Sequence, residues 1–85
     1  MRERQVVVQL SQGLHARPAT LFVKIAASFS SEIHLHKGER KVNGKSIIAV
    51  MSLAVTKGQS VMLTANGADA DRALDTLEQV LATAD

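Results

Sequence analysis

Apolar spacing along this chain switches repeatedly between period two and a helical period of about 3.6, giving strand-like and helix-like segments in the order βαββαβα within 85 residues. Val6, Val8 and Leu10 alternate across residues 5–10, as in a strand with one buried side. Gly13 breaks that pattern, and Pro18 marks the first turn of a helix, where a missing N–H costs little. In this helix Ala19, Phe22, Ile25, Ala26 and Phe29 form a core stripe, while Ala16, Thr20, Lys24 and Ala27 form an exposed row. Ile33 and Leu35 then alternate with His34 and His36 into a glycine turn, and Lys41-Val42-Asn43 returns.

Ser46 stands where it can cap a short helix built on Ile47, Ile48, Val50, Met51 and Leu53. Lys57-Gly58 leads into a fourth strand with Val61, Leu63 and Ala65 on one face. The last helix carries Ala70, Ala73, Leu74, Leu77, Val80 and Leu81 at helical spacing, with Asp69, Asp71 and Asp75 placing negative charge toward its N-terminal end. Each element has one apolar side to bury, so helices on one face of a mostly antiparallel sheet are expected: a two-layer α+β sandwich. At 85 residues and 46% hydrophobic content, one domain over residues 1–85 with one core is expected.

Several function classes drop out on composition. The chain has no cysteine, so thiolate metal sites and thiol catalysis are excluded, and a reducing, cytoplasmic setting is expected. The longest apolar run, residues 47–51, is five residues against the roughly 18–20 of a membrane span, and with Arg2-Glu3-Arg4 leading into the first strand no secretory signal is expected. Residues 1–60 carry nine Lys and Arg against three acids, and residues 61–85 carry one against five. A basic front of this kind suits an acidic protein partner. Phe22 and Phe29 are the only aromatics and both read as core, which argues against nucleic-acid stacking.

No phosphate-binding glycine loop, HExxH or GxSxG motif is present, so an ordinary enzyme is not expected. What remains is Gly13-Leu14-His15-Ala16-Arg17-Pro18 at a strand-to-helix junction. Helix-start N–H groups lack intrahelical acceptors and favour an anion, and Arg17 adds a fork of donors suited to phosphate. His15 supplies a nucleophilic ring nitrogen beside them. His34 and His36 share a strand face but lack a third ligand, so they read as solvated surface side chains and no metal or cofactor site is expected.

These residues make the chain resemble the HPr family, the histidine-containing phosphocarriers of the bacterial sugar phosphotransferase system. The resemblance runs over nearly the whole chain and is carried by Gly13-Leu14-His15-Ala16-Arg17-Pro18-Ala19-Thr20 and by Asn43-Gly44-Lys45-Ser46-Ile47-Ile48 leading to Met51-Ser52-Leu53. It implies a sheet in the order 1-4-2-3, phosphoryl uptake at Nδ1 of His15 from enzyme I, delivery to enzyme IIA domains, and Arg17 as the phosphate-binding residue. It also implies a monomer whose Ser46 is modified by an HPr kinase/phosphorylase, the product being read by a catabolite control transcription factor. The partner surface is expected to comprise Ala16, Thr20, Lys24, Ile47, Ile48 and Met51, rimmed by Arg17, Lys24 and Lys45. Gln12 and Gly44 depart from the family pattern, and Gly44 is expected to loosen the loop before Ser46.

Two other readings share these motifs. A nitrogen-linked phosphotransferase carrier has the same histidine motif, and regulatory HPr paralogues dock to partners without carrying phosphate. Known paralogues of the second kind have glutamine in place of the active histidine, and His15 argues against them.

Overall fold

The computed structural model describes residues 1–84. Its elements are β1 (Arg2–Val7), α1 (Ala16–Ala27), β2 (Glu32–Lys37), β3 (Arg40–Asn43), α2 (Ile47–Ser52), β4 (Ser60–Asn66) and α3 (Ala70–Ala82). The four strands form one sheet in the order β1-β4-β2-β3, with every neighbouring pair antiparallel. This is the expected open-faced α+β sandwich.

One face of the sheet carries the core. Val6, Ile33, Leu35, Val61, Leu63 and Ala65 are buried there against Ala19, Phe22 and Ala26 of α1 and Leu74, Leu77 and Leu81 of α3. Phe22 is 0% exposed, so its truncation to Ala is expected to cost about 3–5 kcal/mol. The helix α2 is short and packs against α1 and the edge strand β3.

The first strand begins earlier than the alternation indicates. β1 pairs from Arg2 to Val7, and Arg4 on the helix side reaches Asp75 and Glu78 of α3 at 2.8 and 2.7 Å. Beyond it, Val8 and Leu10 stay buried, but Val8 N–H donates to the Gln59 carbonyl and Gln9 N–H to the Leu81 carbonyl.

The start of α3 also differs from expectation. Asp69 occupies the N-cap position without capping; its carboxylate instead accepts hydrogen bonds from the backbone N–H and hydroxyl of both Ser30 and Ser31. Asp71 pairs with Arg2 at 3.3 Å, so these acids serve mainly to tie α3 to β1 and to the loop after α1. Gly44 does not loosen its loop. It is buried, its N–H donates to the Ile33 carbonyl at 2.8 Å, and an added Cβ would lie 2.8 Å from Ile33 Cγ2.

On the open face of the sheet, His34 and His36 are half-buried rather than fully solvated. The ring Nε2 of His36 lies 3.0 Å from the Thr64 hydroxyl. Burial, with Lys41 and His34 nearby, holds its pKa below the ordinary histidine value.

Candidate functional site

The candidate site is the junction between β1 and α1. Gly13 takes φ +66, and an added Cβ would fall 2.1 Å from the Val55 carbonyl oxygen, so only glycine fits this turn. Gly13 N–H donates to the Leu10 carbonyl at 2.9 Å and Leu14 N–H to the Val55 carbonyl at 3.0 Å. With Leu14 buried, the loop has little freedom, and the next residue is presented at the helix start.

That residue is His15, the N-cap of α1, extended at φ −79 and ψ −174 and half-buried. Its carbonyl accepts the N–H of Ala19 at 2.9 Å, the first helical bond. Pro18 has no N–H, which leaves the N–H groups of Ala16 and Arg17 as the helix-start donors that follow His15. Arg17 is exposed and, among the described residues, no carboxylate lies within ion-pair distance of it, in contrast to Arg2 and Arg4. His15 and Arg17 line the same hollow. His15 at the helix start, the helix-start N–H groups and an exposed guanidinium that meets no carboxylate among the described residues thus border one hollow, a set of groups whose chemistry suits accepting and holding a phosphoryl group.

Ser46 is the N-cap of α2, and its hydroxyl accepts the Ala49 N–H at a long 3.4 Å. It lies outside the His15 hollow, on the helix that packs beside α1. Ala16, Thr20 and Lys24 are exposed along α1. On α2, Ile48 is 81% and Met51 41% exposed, whereas Ile47 is half-buried. Lys45 departs from the expected rim: it is half-buried, and its ammonium donates to the Phe29 carbonyl at 2.8 Å. Among the described residues, no group of three or more His, Asp or Glu is placed to hold a metal ion, and no helix is long and apolar enough to cross a membrane.

Two features escaped the sequence reading. Lys37 donates to the Leu53 and Ala54 carbonyls and Arg40 to the Ser52 carbonyl and hydroxyl, so the β2–β3 hairpin satisfies the C-terminal end of α2. A run of cations gives no sign of which carbonyls it will meet. Leu21, 49% exposed beside His15 and Arg17, belongs to a third row on α1 with Pro18 and Ile25, and that spacing was readable.

Comparisons with known proteins agree over almost the whole chain. Residues 2–83 match the family model described as the PTS HPr component phosphorylation site. The HPr-like protein Crh of Bacillus subtilis strain 168 is 49% identical over 77 residues, covering 91% of this chain and 91% of that protein. The phosphocarrier protein HPr from Bacillus anthracis strain Ames superposes with a TM-score of 0.92 at 41% identity, covering 94% of this chain and 95% of that one. A second solved structure, Crh of B. subtilis in a dimer with a swapping domain, gives a TM-score of 0.75 at 48% identity and covers 94% and 92%.

Proposed function

This chain belongs to the HPr family, whose members are phosphocarriers rather than enzymes, and on that premise we propose that it accepts a phosphoryl group on His15 from enzyme I and passes it to enzyme IIA domains for sugar uptake. The observation that carries the reading is His15 at the start of α1 with Arg17 two residues on, a guanidinium that meets no carboxylate among the described residues. In the uptake step the bond from phosphorus to the His15 ring nitrogen forms as the bond to enzyme I breaks. The phosphoryl charge is met by Arg17 and the N–H groups at the helix start, and delivery reverses the step on the acceptor. The exposed row Ala16, Thr20 and Lys24 on α1, with Ile48 and Met51 on α2, supplies a mixed apolar and basic surface, which suits acidic partners used in turn. Ser46 serves as a regulatory acceptor for an HPr kinase/phosphorylase, and the product is read by a catabolite control transcription factor.

The likeness to Crh favours a second reading, a regulatory paralogue that docks without carrying phosphate. His15 supports the carrier. The chain is taken to act as a monomer, whereas the similar Crh of B. subtilis forms a dimer with a swapping domain. The test is a relay. Protein charged by enzyme I and phosphoenolpyruvate should show one added phosphate by intact mass and lose it when an enzyme IIA domain is added. A charged protein that keeps its phosphate in the presence of sugar-specific IIA domains would refute sugar-branch delivery. Loss to a nitrogen-branch IIA alone would reassign the branch.

A further inference from the structure

Between α1 and α3 runs a groove of about 520 Å³, walled by Leu21 and Ile25 of α1 and by Val80 and Thr83 at the end of α3, with His15 and Arg17 where α1 begins. It is not the surface assigned above to protein partners, which lies on the α2 side of α1. Its volume falls in the range of small-molecule sites, and its lining is mainly aliphatic. Leu21 is 49% exposed, a large apolar side chain left in solvent beside this hollow.

Among the described residues that line the groove, charge is confined to one place. Their other polar groups are the hydroxyls and amide of Thr76, Gln79 and Thr83, and no acidic side chain is among them. Arg17 meets no carboxylate among the described residues. A trough that is apolar along its length and cationic at one end complements a molecule with an alkyl chain and one terminal anion. A neutral lipid would leave Arg17 unanswered, and a compact anion such as phosphate would leave the aliphatic walls wet.

We propose that this groove binds a medium-chain alkyl carboxylate, with the chain between Leu21 and Val80 and the carboxylate on the Arg17 guanidinium. If the phosphoryl group on His15 is held by Arg17, as the proposed function has it, the bound carboxylate and that phosphoryl group exclude one another. This consequence alone rests on that reading.

The experiment is an NMR titration of the intact protein with decanoate below its micellar concentration, with decanol and octanoate as comparisons. Saturable shifts are expected at Leu21, Ile25, Val80 and Thr83. Decanoate should bind about tenfold more tightly than decanol. Octanoate, two methylenes shorter, should bind about four- to fifteen-fold more weakly in a half-open groove. Leu21→Asp should abolish binding, whereas Val7→Asp, an exposed change elsewhere, should leave it intact. Equal affinity for decanol, shifts centred on Ile48 and Met51, or undiminished binding by Leu21→Asp would each overturn the proposal. Enzyme I phosphorylation of a decanoate-free portion of the same protein separates the two claims. Phosphorylation without decanoate binding sinks the groove alone, and decanoate binding without phosphorylation sinks the carrier reading alone.

Discussion

The Leu14 N–H donates to the Val55 carbonyl across 3.0 Å, and this bond ties the loop that carries His15 to the connection between α2 and β4. Gly13 is pressed against the same carbonyl, with room for no Cβ. The His15 loop is thus held by a neighbour about forty residues away in sequence. Gly13→Ala is expected to force the two segments apart and impose φ +66 on a residue with a Cβ, at a cost of about 1–3 kcal/mol. Thermal melting measures that cost. Phosphoryl uptake at a temperature where the variant stays folded should fall as well, and an unchanged rate would mean that His15 does not depend on this bond.

Ala54 is the residue just before Val55, and it holds φ +51. A left-handed backbone costs an L-residue roughly 1–2 kcal/mol, and glycine escapes most of that. Ala54→Gly is therefore expected to raise stability by about 0.5–1 kcal/mol after the larger entropy of the unfolded glycine is deducted. Urea denaturation midpoints would show it, and a destabilised variant would contradict the reading.

Acid should weaken the fold in two stages. The hydroxyl of Ser31 and then the backbone N–H of Ser30, with their companion bonds, hold the Asp69 carboxyl well below the usual carboxylate range. A carboxyl made more acidic by folding adds stability that is complete above its unfolded value, about 3.9, and is lost as pH falls through the folded value. His36 is lowered too, by burial first and then by Lys41 and His34, with Glu3 opposing. Its contribution is complete above about 6.5 and fades as pH falls toward the lowered value. Urea midpoints followed from neutral pH downward should decline first in the window that His36→Gln removes and again in the window that Asp69→Asn removes.

At Ser46 the expected response separates surface from fold. The 3.4 Å capping bond is long, so Ser46→Ala should cost only about 0.5–1 kcal/mol. Ser46→Asp keeps an acceptor there and puts a negative charge at the start of α2, which the free N–H groups favour. Melting should hold or rise while uptake from enzyme I slows, because the charge lies beside exposed Ile48 and Met51 on the face offered to an acidic partner. A large drop in melting temperature with a proportional loss of uptake would show that α2 itself had been disrupted.

What the sequence made legible follows from range. Element order, the Phe22 stripe, the Ser46 cap and the Gly13–Pro18 junction rest on contacts within a few residues, and local spacing reports such contacts directly. The misreadings involve partners far along the chain. Asp69 reads as a helix-dipole charge until Ser30 and Ser31 arrive beside it, some 38 residues away. Gly44 reads as slack until Ile33 is packed on it, and Lys45 as a free rim charge until the Phe29 carbonyl comes within 2.8 Å. The alternation across residues 5–10 misses the strand's start at Arg2, because the acids of α3 that accept Arg2 and Arg4 lie about seventy residues on.

The most direct measurement compares intact mass for the parent chain, His15→Ala and Arg17→Ala after incubation with enzyme I and phosphoenolpyruvate. The parent should gain one acid-labile phosphate and His15→Ala none. Arg17→Ala should gain it slowly while melting within about 0.5 kcal/mol of the parent, since its exposed guanidinium supports no core contact. A His15→Ala protein that still takes up one phosphate from enzyme I, or a folded parent that takes up none, would contradict the account.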